Sequence, residues 1–162
     1  MMAAPKISEP VLDSTDRRLL TLLQRDGRMP VARLAEAVGL TAPPVHDRLA
    51  RLERAGVIRG YAAVLEPSSL GFGFTVFVQV TLGLHREGSV MKFRDAVGAV
   101  PQILECHHVT GTADFLLKVV CRDTPEYEDL VLHTLTRLPG VERLNSSVVL
   151  STFKAETALP LE

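Results

Sequence analysis

Two cysteines in 162 residues, Cys106 and Cys121, are too few for a disulfide framework. No apolar run approaches the roughly 20 residues that span a bilayer. The opening "MMAAPKISEP" has one lysine and no apolar core, so it does not fit a secretory signal. These absences together predict a cytoplasmic protein with no membrane partner. Nor does the chain carry a Ser-His-Asp order, a glycine-rich phosphate loop or a glycosidase-like carboxylate pair. No repeat or low-complexity segment interrupts it. What is present is a globular composition, 46% hydrophobic and 23% charged, with enough apolar side chains to fold.

The net charge of −1 hides an asymmetry. Residues 1–65 hold ten Lys/Arg against seven acids, and residues 66–162 hold eight against twelve. One half is therefore suited to an anionic partner and the other is not.

The halves also differ in period. From Asp13 to Ala55 apolar residues recur at helical spacing. Asp13 or Ser14 can cap a first helix bearing Leu19, Leu22 and Leu23, which "DGR" at 26–28 breaks. Val31, Leu34, Ala35 and Val38 mark a second helix ended by Gly39. Val45, Leu49 and Leu52 mark a third, closed by Gly56. Three short helices with a glycine turn between the second and third match a helix-turn-helix. "VIRGYAAVL" (57–65) has the β-branched and aromatic content of a strand.

"EPSSLGFG" (66–73) is a linker of turn residues. Beyond it the period becomes two, from Phe72 through Phe74, Val76, Val78, Val80 and Leu82 to Leu84, as in a strand with one buried face. Val90, Phe93, Val97 and Val100 predict a helix; 102–111 and 114–122 predict two strands joined by a short turn. A helix over 124–140 begins with a Thr124 cap and Pro125, and 141–154 closes with a strand. The order β-α-β-β-α-β is that of a ferredoxin-like sandwich. The fold class is α+β, with a helix-turn-helix unit over 12–65, a linker over 66–73 and the sandwich over 74–156. Residues 1–11 are expected to be a disordered tail, and 157–162 a C-terminal tail.

Paired prolines open the third helix. With Thr41 as N-cap, Pro43 and Pro44 occupy the positions whose N–H groups a capping hydroxyl normally receives. Thr41 gains nothing as a conventional cap, and its hydroxyl is free for water or for a phosphate oxygen. At 100° per residue, Pro43 and Asp47 point away from the buried stripe, with Pro44, His46 and Arg51 on its shoulders. The start of such a helix approaches base edges, so Pro43, Pro44, His46 and Asp47 form the reading set. It lacks most of the arginine and asparagine pairings that read purines. Phosphate contacts from Arg28, Arg48, Arg51 and Arg59 are therefore expected to supply affinity, and DNA shape much of the specificity. Arg48, beside the buried stripe, is equally placed to buttress the fold. The bland alternative for all of these is a solvated basic face.

Cys106, His107 and His108 suggest a metal, yet alternation places His107 on the face opposite the other two. Two ligands fall short of the four a structural zinc takes, and no metal or cofactor is expected.

"LDSTDRRLLTLLQRDGR" (12–28), "LAEAVGLT" with "RLARLERAGVIRGY" (34–61), "ECHHVTGTADFLLK" (105–118) and "LPGVERLNSSVVLSTFK" (138–154) resemble, in order, the signatures of the Lrp/AsnC, or feast/famine, transcriptional regulators. The resemblance covers nearly the whole chain. It implies that the N-terminal unit is a winged helix-turn-helix and the chain a DNA-binding regulator, nucleoid-associated and acting on promoter or operator DNA. Its sandwich would form a homodimer through its sheet, and dimers would assemble further, commonly into an octameric ring. A small effector, usually an amino acid, would bind between dimers and change assembly or DNA affinity. The family's turn between strands often holds Gly-Asp-x-Asp-Tyr; here it holds Gly111, Thr112, Ala113, Asp114 and Phe115, which makes Gly111, Thr112, Ala113 and Asp114 the effector candidates and the turn less polar. Plain turn chemistry is the alternative for Gly111 and Asp114. Two further readings stay open: a siroheme-decarboxylase-like enzyme of the same fold using His107 or His108, and an effector-binding scaffold that does not bind DNA.

Overall fold

The computed structural model describes residues 11–83 and 89–161. They form two compact units: residues up to Val64 together with the returning segment from Lys154, and residues Leu65–Phe153. The expected N-terminal tail up to residue 10, and Leu84, lie outside the described residues.

The first unit contains α1 (Ser14–Arg25), α2 (Val31–Val38) and α3 (Ala42–Arg54). Asp13 caps α1 in a reciprocal box: it accepts from the Asp16 N–H at 2.8 Å while Asp16 accepts from the Asp13 N–H at 3.3 Å. Gly39 ends α2 with φ 69°, a left-handed conformation that a side chain would strain. Leu19, Leu34, Ala35, Val45 and Leu49 close the small core between these helices.

The second unit contains β1 (Phe74–Leu82), α4 (Ser89–Val97), β2 (Ile103–His108), β3 (Phe115–Cys121), α5 (Thr124–His133) and β4 (Val141–Val148). The strands form one antiparallel sheet in the order β2-β3-β1-β4. Val76, Val78, Val80 and Leu82 of β1 alternate with more exposed residues. With Phe115, Leu117, Val119 and Cys121 of β3 they face Phe93 and Val97 of α4 and Tyr127 and Leu130 of α5 in one core. The opposite face of the sheet carries Phe77, Gln79 and Thr81, paired with Ser147, Asn145 and Arg143 across β4.

Four details differ from the sequence-based expectation, the first being that the last strand ends at Val148 instead of running to 154. No strand forms over 57–65; strand-forming residues need a ladder partner for their backbone groups, and within one chain this segment has none. A single turn of 3-10 helix, Pro67–Leu70, lies within the expected linker. The fifth helix is capped by Asp123, whose side chain accepts from the Glu126 N–H, rather than by Thr124, and it ends at His133 before a 3-10 turn, Leu135–Arg137. A carboxylate at the helix N-terminus also meets the favourable end of the dipole.

Candidate nucleic-acid interface and effector pocket

The first turn of α3 has the geometry its prolines dictate. Thr41 is the N-cap and makes no side-chain capping bond. Thr41, Pro43, Pro44, His46 and Asp47 are all exposed, while Val45, Leu49 and Leu52 are buried. The expected reading set therefore lies on one open surface at the start of the helix.

The arginines divide into two groups. Arg48 donates to Asp13 at 2.6 Å and to Asp16 at 2.8 Å, and Arg51 donates to Asp16 at 2.5 Å. Asp16 is fully buried, the one buried charged residue among those described. Its carboxylate caps α1 and at the same time receives both arginines, so it fastens α3 to α1. The backbone N–H of Asp16, followed by Arg48, holds the Asp13 carboxyl below the usual carboxylate range. The same acids raise Arg48. Arg48 thus takes the buttressing role, and Arg51 shares it while staying half exposed. Arg28 and Arg59 are exposed and enter no ion pair among the described residues. Sequence reasoning missed the acid partners because they lie 32 to 35 residues away. The one available signal was Arg48's position beside the buried stripe.

Tyr61 donates to Glu53 at 3.0 Å and packs near Gly27, which ties the segment after α3 back to the helices. Burial first, and then Glu53, raises the Tyr61 hydroxyl.

In the second unit, a cavity of about 460 Å³ on the open face of the sheet is lined by Gln79, Thr81, Thr112, Ala113, Arg143, Leu144 and Asn145. Two of the four effector candidates, Thr112 and Ala113, reach it. Asp114 does not: its carboxylate accepts from the Leu82 N–H at 2.8 Å and its own N–H donates to the Val80 carbonyl at 2.9 Å. It pins the turn to β1. Gly111 contributes a backbone conformation, φ 121°, that favours glycine. The polar lining that sequence reasoning missed comes from β1 and β4, where period-two alternation sets Gln79, Thr81, Arg143 and Asn145 on one face. Arg143 lies 3.5 Å from the Thr81 hydroxyl and is the one charged group of the lining. A carboxylate would meet a cation, hydroxyls and amides there.

Cys106 pairs across to Leu117 and His108 to Phe115, while His107 pairs to Leu116 on the other face. His107 bonds Glu105 at 3.1 Å, and His108 stacks on Phe115 with ring centroids 5.0 Å apart. Lys118 first, then His107, lowers Glu105. No group of three or more metal-ligating side chains occurs among the described residues. No helix among them is long and apolar enough to cross a membrane.

Comparisons with known proteins match both units. The family model of the AsnC-type helix-turn-helix domain matches residues 12–53, and that of the Lrp/AsnC ligand binding domain matches residues 75–159. The leucine-responsive regulatory protein of Escherichia coli strain K12 is 40% identical over 93% of this chain and 92% of its own length. Among solved structures, a transcriptional regulator of Neisseria meningitidis in complex with L-methionine superposes with a TM-score of 0.89 at 37% identity, covering 93% of this chain and 97% of that one. An AsnC family regulator from Agrobacterium tumefaciens superposes with a TM-score of 0.87 at 31% identity, over 93% and 97% of the two chains.

Proposed function

The chain belongs to the Lrp/AsnC family of transcriptional regulators, and from that premise we propose how its residues divide the work. The relatives are regulators rather than enzymes, and nothing among them supports the decarboxylase alternative. The observation that carries the reading is the pairing of an exposed α3 N-terminus in one unit with a polar cavity in the other.

DNA is met by Thr41, Pro43, Pro44, His46 and Asp47, with Arg28 and Arg59 supplying phosphate contacts. Arg48 and Arg51 act mainly by fixing the pitch of α3 against α1, and Arg51 adds its exposed edge to the phosphate set. Because the reading set is poor in bidentate partners for bases, affinity rests on phosphate charge and falls steeply with salt.

The effector is an amino acid, as the Neisseria relative's complex with L-methionine and the leucine-responsive name of the Escherichia relative suggest. Arg143 receives its carboxylate, since a guanidinium offers two parallel donors to that group. Thr81, Gln79 and Asn145 are placed to orient it, and Thr112 and Ala113 close the side. Asp114 shapes the turn without touching the ligand.

A homodimer formed through the open sheet face, around Phe77 and Leu116, sets two α3 helices about one DNA turn apart. Dimers assemble further, as an octamer by family analogy, and the effector alters the geometry between them and so the DNA affinity. The working place is the cytoplasm, on the nucleoid. The test is a thermal-shift panel of the twenty amino acids followed by promoter-DNA binding with each stabilising ligand. A ligand that binds the native state raises the melting temperature. The reading fails on DNA that does not bind at any salt, which would leave an effector-binding scaffold.

A further inference from the structure

The ligand-binding family model runs to residue 159, yet the structure groups the segment from Lys154 onward with α1–α3. The attachment is specific. Gln24, near the end of α1, commits both atoms of its side-chain amide to one backbone residue. Its Nε2 donates to the Leu159 carbonyl at 3.1 Å, and the Leu159 N–H donates to its Oε1 at 2.6 Å. Arg17, two turns earlier, donates to the Leu161 carbonyl at 3.4 Å. A paired donation and acceptance at one residue is what a strand exchanges with its neighbour in an antiparallel ladder. Here a helix side chain plays the neighbour.

The side chains agree with the backbone. Thr157, Leu159 and Leu161 recur every second residue, so an extended chain presents all three on one side. All three line an apolar groove of about 560 Å³ whose other wall includes Leu20, Leu23, Ile58 and Val64. Leu159 remains more than half exposed, so the segment lies along the groove without filling it.

We propose that this groove is a peptide-binding site of the DNA-binding unit, built for an extended segment with apolar side chains two residues apart, and that its ligand is the chain's own Thr157–Leu161. The site has a mechanical consequence. Helix α1 is held through Asp16 to Arg48 and Arg51 of α3, and through Arg17 and Gln24 to the C-terminal strap. The strap therefore helps fix the helix on which α3 is mounted. It also anchors the chain beyond its second covalent crossing between units, because β4, which walls the cavity at Arg143 and Asn145 and ends at Val148, continues through residues 149–156 into it. The attachment does not depend on the identity of the effector or of the DNA.

Hydrogen–deuterium exchange on the full chain and on Gln24→Ala tests it. The Leu159 amide should exchange at least tenfold slower than an unstructured amide in the native chain. Gln24→Ala should remove about fivefold or more of that protection, as expected for one lost hydrogen bond, and should speed exchange along α1. Amides of β1 and β3 should not change. Gln24→Glu, which keeps the acceptor and loses the donor, should fall between. Exchange at the unstructured rate in the native chain, or protection indifferent to Gln24→Ala, would overturn the proposal. Protection that disappears on dilution would overturn it too, by assigning the groove to the tail of a second copy. Should Gln24→Ala unfold the unit, Leu159→Asp makes the same comparison from the strap side.

Discussion

The two units are stabilised in different ways. The sandwich has fourteen buried residues in one continuous apolar cluster among those described, with Phe93, Leu117, Leu135 and the valines of β1 at its centre. The helical unit has five in its corresponding cluster, and compensates with polar ties: a capping box, two arginines on a buried carboxylate, and a backbone segment held by Gln24. A small domain buries too little apolar surface to rely on it alone. Its directional contacts set one particular arrangement of α1 and α3, and a DNA-reading helix needs a fixed pitch. The large core of the sandwich lies on one face of its sheet, and the other face carries the polar residues Gln79, Thr81, Arg143 and Asn145.

That contrast can be broken from either side, and the largest effect is expected in the sandwich. Phe93→Ala removes a fully buried ring packed 4.7 Å from Phe115. It should cost about 3–5 kcal/mol, seen as a lowered denaturation midpoint by a probe in the sheet. In the helical unit the corresponding weak point is polar. Asp16→Ala should cost about 2–3 kcal/mol, because it strands two arginine contacts and half of a cap. Hydrogen exchange should locate that loss in α1–α3 and leave β1 and β3 protected. An equal loss in both units would contradict the division.

The helices and the succession of strands along the chain were legible in the sequence because each element is set locally. Period 3.6 with Gly39 and the paired prolines marks α2 and α3; period 2 from Phe74 to Leu82 marks β1. What was not legible depends on residues far apart or on a missing partner. Segment 57–65 has the side chains of a strand but no ladder within the chain. Asp16 looks like any first-turn acid until α3 lies across it. The alternation of Thr157, Leu159 and Leu161 spans too few residues to mark an element by itself, and only the fold brings Gln24 to it. At the cavity, the turn 111–114 was found from the resemblance, whereas Arg143 became visible only when β4 was set beside β1.

Smaller effects sharpen the comparison within each site. Arg143→Ala should weaken amino-acid binding about tenfold or more, the value of a charge-assisted bond to a carboxylate, as measured by calorimetry. Asp114→Ala should act on the stability of the turn instead, with the ligand contacts intact. Acid should loosen the helical unit through Asp13. Its folded pKa is depressed, so the stabilisation is present above the unfolded value of about 3.9 and is lost as pH falls through the lower folded value. A pH titration followed by α1 amide exchange should show that loss only below about pH 4. Smallest is Arg59→Ala, which should weaken binding to all DNA sequences alike and reduce the magnitude of the salt slope by about one. Arg48→Ala should instead act through lost stability of the helical unit.

The most direct test of the account is the affinity of the intact chain for its own promoter duplex, titrated at several salt concentrations with and without each of the twenty amino acids. Binding should weaken steeply as salt rises, and at least one amino acid should shift it several-fold. Affinity that no amino acid changes, or no binding even at low salt, would contradict it.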